Sequence, residues 1–269
     1  MTDILFPRVG SPADQAHGLR RLFAERQVQH LALVANPHVA FASVMLERLT
    51  TVLGTLGLHT LVVDAAEHSP APHELAALDL RACIEPLSSH VSYLAARGLP
   101  LRHVDVRGSS AGFLDRLQAA APHCRVLLVH AGAGDLARLY AQRALRPMLL
   151  AADAPESVTD AYASMKLLAL RRGLMSFDLL LAATPGQRRA ATIAQRLASC
   201  AQSFLGVSLH DWVAIDPACD VRDSPGEALY ALVAAQLRVD AEAAEAAVDA
   251  GARAAWRGAS LQHGAMNLN

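Results

Sequence analysis

The stretch from Leu31 to Asp64 constrains the fold of this chain more than any other. It opens on the uninterrupted apolar run Leu31-Ala32-Leu33-Val34-Ala35 and passes through Asn36-Pro37-His38-Val39-Ala40-Phe41-Ala42. Val44, Leu46, Leu49, Val52, Leu53 and Leu56 then fall on one stripe of a helix that stops at Gly57. A second apolar run, Leu61-Val62-Val63, ends on Asp64. An apolar run, a helix of period 3.6 and another apolar run make a βαβ unit, and therefore a parallel sheet covered on both faces. In phosphate-binding versions of this unit the loop is rich in glycine and closes on Lys-Ser/Thr. The glycines let backbone N–H groups curl around phosphate oxygens, and the lysine neutralises their charge. The present loop contains neither glycine nor lysine, and only the hydroxyl of Ser43 remains where a magnesium ion would be met.

A chain of 269 residues suffices for one large α/β domain or two small ones. Hydrophobic residues make up 53% and aromatics 4%, so the core is expected to be leucine, valine and alanine. A formal net charge of −1 leaves no electrostatic footprint for nucleic acid. Cys83, Cys124, Cys200 and Cys219 lie far apart with no CxxC pair, the usage expected of reduced thiols in a cytoplasmic protein. Met1 to Arg8 lacks a basic region followed by a long apolar core, so no secretory signal is expected, and no apolar run is long enough to suggest a membrane span.

Along the chain, Ser11-Pro12-Ala13-Asp14 offers a hydroxyl cap, a proline at the first helical position and a carboxylate three after the cap. The helix it opens, to about Arg26, carries Ala16, Leu19, Leu22 and Phe23 on one face. A short helix is expected at Glu74–Leu78, a helix over 88–97 and a strand over 101–106. Gly108-Ser109-Ser110-Ala111-Gly112 opens a helix to about Ala121; its serines and glycines suit turn chemistry better than an anion site. Further strands are expected at 125–130, 147–152, 177–183 and 212–215, with helices at 159–172, 188–204 and 225–237. The Gly132-Ala133-Gly134 pair after the third of the clear buried strands is weak evidence for a ligand. Residues 239–256, rich in alanine and acids, are helical by propensity. The expected organisation is a loose tail over 1–10, a separate helix over 11–27, one α/β domain over 28–238, and an Ala-rich helix with a disordered tail over 239–269. Its fold class is α/β: one doubly wound, mostly parallel sheet with helices on both faces.

Four motifs, in order along the chain, resemble FlhG, the MinD/ParA-type ATPase family that sets flagellar number and placement together with the GTPase FlhF. Asp14-Gln15-Ala16-His17-Gly18-Leu19-Arg20-Arg21 resembles the DQAxGLR element at the start of those proteins. Counted back from Asp64, the family's G-K-G-G-V-G-K-[ST] loop falls without a gap on Asn36 to Ser43. Asp153-Ala154-Pro155-Glu156-Ser157-Val158-Thr159-Asp160-Ala161-Tyr162, with Lys166, resembles the family's TxPEPTxxTDAYAxxK stretch. Phe204-Leu205-Gly206-Val207-Ser208-Leu209 resembles its FLGVSL element.

The resemblance implies a P-loop NTPase fold of MinD/ParA type. It makes Asp14, Gln15, Ala16, Leu19 and Arg20 the partner-binding residues, with Gln15 and Arg20 as the polar groups that would stimulate an FlhF-type GTPase. It also makes Asn36, Pro37, His38, Ala42, Ser43, Asp64 and His130 a vestigial nucleotide site. Pro37 stands where the family's signature lysine reaches the partner's phosphates, and Ala42 where the P-loop lysine pairs the β- and γ-phosphates. His130 replaces the acid that would hold the magnesium shell, while Asp64 keeps the place of the acid that orients the attacking water and Ala66 replaces the next acid. Phosphoryl transfer is positioning plus charge stabilisation, so no hydrolysis and no ATP or magnesium cofactor are expected. His38 and Phe41 are expected to fill the emptied pocket, with Asp64 bonding a donor such as Ser43. The spacing of His38, His68 and His130 does not support a metal site.

The leading expectation is a non-catalytic cytoplasmic regulator of flagellar assembly, number or placement, a pseudo-ATPase that binds an FlhF-type GTPase. Flagellar basal-body or regulatory proteins are further partners, and the pole or membrane is reached through the partner alone. The alternative is an ATP-dependent, dimerising MinD/ParA-type switch. A small-molecule enzyme at the strand ends is a third reading, permitted by the fold without a nucleophile–base pair to favour it.

Overall fold

The computed structural model describes residues 28–220 and 222–243. The strands are β1 (Gln29–Val34), β2 (Thr60–Asp64), β3 (Glu85–Pro86), β4 (Val91–Ala95), β5 (Val126–Ala131), β6 (Met148–Ala152), β7 (Ser176–Ala182) and β8 (Ser208–Ile215). The helices are α1 (Ala42–Thr55), α2 (Leu99–Arg102), α3 (Ala111–Ala120), α4 (Ala133–Leu139), α5 (Pro155–Arg172), α6 (Arg188–Leu205) and α7 over residues 227–243. All eight strands form one sheet in the order β3-β4-β2-β5-β1-β6-β7-β8. Every neighbouring pair is parallel except β3 with β4. The chain leaves β1 for β2, returns to insert β5 between them, and then builds β6 to β8 on the other side.

The strands that read as apolar runs are the covered ones, because each face of the sheet needs its own apolar layer. Alternate residues feed the two layers. Leu31, Leu33, Val62, Val126 and Leu128 pack against α1 and α7, where Met45, Leu49, Val52, Leu53, Leu232 and Val233 meet them. Ala32, Val34, Leu61, Val63, Leu127 and Val129 face the other layer, with Phe113, Leu117, Tyr140, Met165 and Leu197. The α1 stripe centres on Met45 and Leu49 and leaves Val44 and Leu56 at its margin, Leu56 being exposed. It also buries Arg48, whose guanidinium donates to Cys219 Sγ (2.8 and 3.1 Å) and to the carbonyls of Asp220 and Asp223 in the loop after β8. Gly57, at φ +71°, closes α1 in the left-handed region that a glycine adopts without strain.

Two expected elements are different in the structure. Residues 88–97 are not a helix: Val91–Ala95 is strand β4, pairing with β2 from Thr60↔Val91 to Asp64↔Ala95. The Ala-Ala-Arg-Gly ending suits a helix terminus, but β2 has an open edge and pairing there overrides local propensity. Residues 101–106 are not a strand. Pro100 lies in the first turn of α2, Asp105 Oδ1 accepts from the N–H of Arg107 and Ser109 in a turn, and Val106 is fully exposed. Other bounds move by a residue or a turn, as where Pro155 opens α5 a full turn ahead of Thr159 and where β8 begins at Ser208.

Helix α7 runs unbroken through residue 238, past the expected domain edge. Four polar groups hold it to the sheet. Gln29 donates to the Leu237 carbonyl (3.1 Å), the His30 N–H donates to Asp240 (3.0 Å), Arg143 donates to both Asp240 oxygens (2.9 Å each), and Gln236 donates to Asp178. Asp178 is buried on β7 with Arg146 Nε 2.9 Å away. Burial pushes the carboxyls of Asp240 and Asp178 up against the pull of these partners.

The same end of the sheet holds a pH-sensitive group. Burial first, and the Arg143 charge second, push His30 from 6.5 down to about 3. Between those values the unfolded chain binds a proton that the folded His30 refuses, so stability is full above the upper value and falls as pH is lowered through the window. One such proton contributes a slope of at most about 1.4 kcal/mol per pH unit. His30→Phe removes that contribution, so its urea-unfolding free energy falls less steeply than wild type between about pH 7 and about pH 5. Parallel profiles would show that His30 does not set the slope.

Candidate functional site

The β1–α1 loop is held from within by its first residue. Asn36 is buried, and its side-chain amide donates to the carbonyls of Leu150 (2.8 Å) and Ser157 (2.8 Å), while its Oδ1 accepts from the His38 N–H (3.0 Å). Ser157 in turn accepts from the Ala152 N–H (2.8 Å), so the loop, the end of β6 and the start of α5 form one hydrogen-bonded corner. Pro37, His38, Ala40 and Phe41 are exposed. The expectation that His38 and Phe41 fill the pocket is therefore corrected: both are exposed, Phe41 by 55%. Val39 is the loop residue whose apolar side chain is buried, and it joins the α1 layer. Ala42 opens α1 and Ser43 is exposed in its first turn.

Asp64 ends β2 on the α1 side of the sheet, by the alternation that places Val62 there. The same alternation from Leu128 places His130 on that face, and the register sets Asp64 directly beside His130. His130 Nδ1 lies 2.8 Å from Asp64 Oδ1. Ser69 donates to the same oxygen and Tyr93 donates to Oδ2 (3.1 Å). Ser43 is not among these donors, which corrects the expected Asp64–Ser43 bond: Asp64 is satisfied from β4, β5 and its own following loop. Burial raises the Asp64 pKa, but the hydrogen bonds from His130, Ser69 and Tyr93 outweigh it and leave the carboxyl below its ordinary range. Burial and the Asp64 charge push the Tyr93 hydroxyl up, so it stays a donor. An ionised carboxylate only accepts, so the proton between the two groups sits on His130 Nδ1. His130 Nε2 is buried without a hydrogen-bond partner among the described residues.

A cavity of about 440 Å³ opens over these groups, lined by Asn36, Ser43, Asp64, Glu67, His68 and His130 together with apolar side chains. It borders a larger groove of about 940 Å³ between α1 and β4, and Ser43, Leu46, Asp64 and Pro70 line both. Among the described residues no lysine or arginine lines either.

Comparison with known proteins adds the fold. No family model matches this sequence, and no curated protein matches it. Among solved structures, the MinD cell division protein of Aquifex aeolicus is 12% identical and superposes with a TM-score of 0.51, covering 77% of this chain and 96% of its own. A plasmid partition protein of Borrelia burgdorferi bound to AMPPNP is 6% identical with a TM-score of 0.54, covering 78% of this chain and 98% of its own. McdA of Cyanthece in its apo form is 13% identical with a TM-score of 0.50, covering 82% of this chain and 100% of its own. This chain has the MinD/ParA-type P-loop NTPase fold. In such open α/β sheets ligands sit at the carboxyl ends of the strands where strand order reverses. Here β1 lies between β5 and β6 at that reversal, and the 440 Å³ cavity lies there.

On this MinD/ParA-type fold the structure gathers Asn36, Ser43, Asp64 and His130 around one cavity and leaves the His38 side chain outside its lining. Asp14, Gln15, Ala16, Leu19 and Arg20 lie outside the described residues. His38 and His68 are exposed while His130 is buried against Asp64, and among the described residues no three His, Cys, Asp or Glu side chains gather as metal ligands. Gly132 and Gly134 open the short helix α4, where Asp135 pairs with Arg138 (3.1 Å). Ser109 Oγ accepts from the Ala111 N–H in a turn, and Ser110 Oγ donates to the Pro100 carbonyl. Ser69 and Tyr93 are the site residues that sequence reasoning missed. Tyr93 was hidden by the helical reading of 88–97, although Val91, Tyr93 and Ala95 alternate as a strand would. Asn36→Ala strips the donor from two backbone carbonyls, and denaturant unfolding is expected to show a loss of about 1–3 kcal/mol. An unchanged midpoint would mean that the loop is held by other contacts.

Proposed function

We propose that this chain is a non-hydrolysing, FlhG-like regulator of flagellar assembly, number or placement, which binds and stimulates an FlhF-type GTPase through Asp14 to Arg21. The observation that carries the non-hydrolysing part is the state of Asn36. Its amide and its carbonyl oxygen are all committed inside the protein, so the loop has an internal tie where a phosphate cradle needs open backbone N–H groups. The loop has no glycine to let a phosphate approach and no lysine to neutralise it, and the degenerate Walker A reading rests on this. His130 beside Asp64 supports the same reading: an imidazole bonded to the carboxylate occupies the oxygen that a magnesium shell would need. The residues present do not fit ATP with magnesium.

The partner reading is supported by the DQAxGLR-like segment at Asp14 to Arg21 and by the FLGVSL-like segment, whose Phe204 is 77% exposed at the end of α6. Among the described residues no helix is long and apolar enough to cross a membrane. The AMPPNP bound to the Borrelia plasmid partition protein favours the second reading, an ATP-dependent dimerising switch.

Two measurements separate the readings. Calorimetric titration with MgATP and MgADP, read with the oligomeric state, is expected to give no heat and no dimer; micromolar binding with dimerisation gives the switch reading the lead. A GTPase assay with an FlhF-type partner is expected to show stimulation by the wild-type chain, and at least roughly tenfold less by Gln15→Ala and Arg20→Ala. Undiminished stimulation by both variants would refute the N-terminal mechanism.

A further inference from the structure

We propose that the groove of about 940 Å³ between α1 and β4 seats this chain's own residues 11–26, docked there as an amphipathic helix. Four observations carry it.

First, the sheet is one helix short on the α1 face. A parallel sheet is covered on both faces, and a right-handed crossover from β2 to β4 would lay a helix beside α1. The connection between β2 and β4 holds only two short 3₁₀ turns, Glu74–Ala77 and Arg81–Cys83, and it sends Ala76 and Leu80 into the opposite layer. Among the described residues, Val62, Val91 and Tyr93 therefore floor a groove bordered by Leu46 and Gly54 of α1 and by Leu87, which is 61% exposed.

Second, the groove offers apolar surface with a negative rim. Its threonines and its tyrosine are bonded internally: Thr50 and Thr51 donate to the Glu47 carbonyl (2.9 and 2.8 Å), Thr55 to the Val52 carbonyl (2.7 Å) and Tyr93 to Asp64 (3.1 Å). The charged groups that line it are the carboxylates of Glu47 and Asp64.

Third, residues 11–26 match that surface. Ala16, Leu19, Leu22 and Phe23 fall on one helical face, and Arg20, Arg21 and Arg26 outnumber Asp14 and Glu25. A helix of this length is marginal in water and takes its stability from packing its apolar face. Residues 244–256 offer only Val248 and Trp256 as large apolar side chains, and their Glu245 and Asp249 would meet charge of their own sign.

Fourth, the chain reaches. Gln29 and Val91 begin their strands at one level, three strand spacings apart through Val126 and Thr60, or about 14 Å. Six residues separate Phe23 from Gln29, and an extended stretch of that length spans about 20 Å. With Phe23 at the foot of the groove the docked helix runs antiparallel to β4, as a crossover helix does.

The docking stands apart from the partner reading above; its consequence rests on that reading. A segment seated in the groove is withheld from the GTPase, which makes the groove a brake on stimulation.

The test is hydrogen–deuterium exchange on the full chain at a concentration where light scattering gives a monomer. Amides over 15–23 are expected to exchange at least roughly tenfold more slowly than unstructured ones. That protection is expected to vanish in the double variant Leu19→Asp, Phe23→Asp and in Thr51→Arg, which places a cation in the groove wall. Peptides over 87–93 should then exchange faster, and those over β5 should not change. Should Thr51→Arg fail to fold, the faster exchange over 87–93 in the double variant carries the test. Unprotected amides over 15–23 in the wild type, or protection that survives Thr51→Arg, overturns the inference. Protection confined to a dimer gives the groove to a second copy and overturns it as well. In the GTPase assay, Thr51→Arg at subsaturating concentration is expected to stimulate roughly twofold to tenfold more than the wild type; equal stimulation overturns the brake. Protection without stimulation by any form refutes the partner reading and leaves the docking standing.

Discussion

Both faces of the central strands are covered, and this constraint governs everything else in the molecule. With β2, β5 and β1 sealed between α1 and α7 on one side and the remaining helices on the other, a polar side chain survives only at strand ends or with its partners supplied. At the carboxyl ends the solution is Asp64 with His130, Ser69 and Tyr93. At the opposite ends it is Asp240 with Arg143 and the His30 backbone, and Asp178 with Gln236 and Arg146. Each cluster joins segments distant in sequence.

The two ends differ in what their partners leave over. Around Asp240 and Asp178 the donors come from a guanidinium and amides, and the arrangement fastens α7 across the sheet. Around Asp64 the donors come from side chains that themselves border the cavity or the adjoining groove. Breaking one partner of a buried pair is costly because the other charge is left behind, which makes the first cluster a fastening. The second cluster holds a carboxylate ionised at the edge of a cavity.

The β1–α1 loop shows that a βαβ unit does not require glycines between its strand and its helix. A glycine-rich loop exposes backbone N–H groups to a ligand. The loop here takes its shape from Asn36, which reaches inward to the carbonyls of β6 and α5. The strand–loop–helix geometry forms because the flanking apolar runs specify a βαβ unit whatever the loop contains.

The sequence by itself determined the parallel sheet, the helices that cover it and the absence of glycine and lysine from the loop. These are properties of local period and residue type. It also placed Asp64 and His130 at the ends of buried strands, since an apolar run that closes on a polar residue marks where the covered region stops. Only the tertiary structure decided that these two are neighbours, because nothing local says that β5 returns to lie against β2. The strand at Val91–Ala95 was decided in the same way: its pairing partner, β2, lies far from it in sequence, and an Ala-Ala-Arg-Gly ending alone suggests a helix. The position of Asp240 likewise lay beyond sequence patterning, for an acid in an Ala-rich helix reads as a solvated face until Arg143 and His30 are brought to it. Pattern fixes most elements, and long-range pairing fixes the edge strand and which side chains meet.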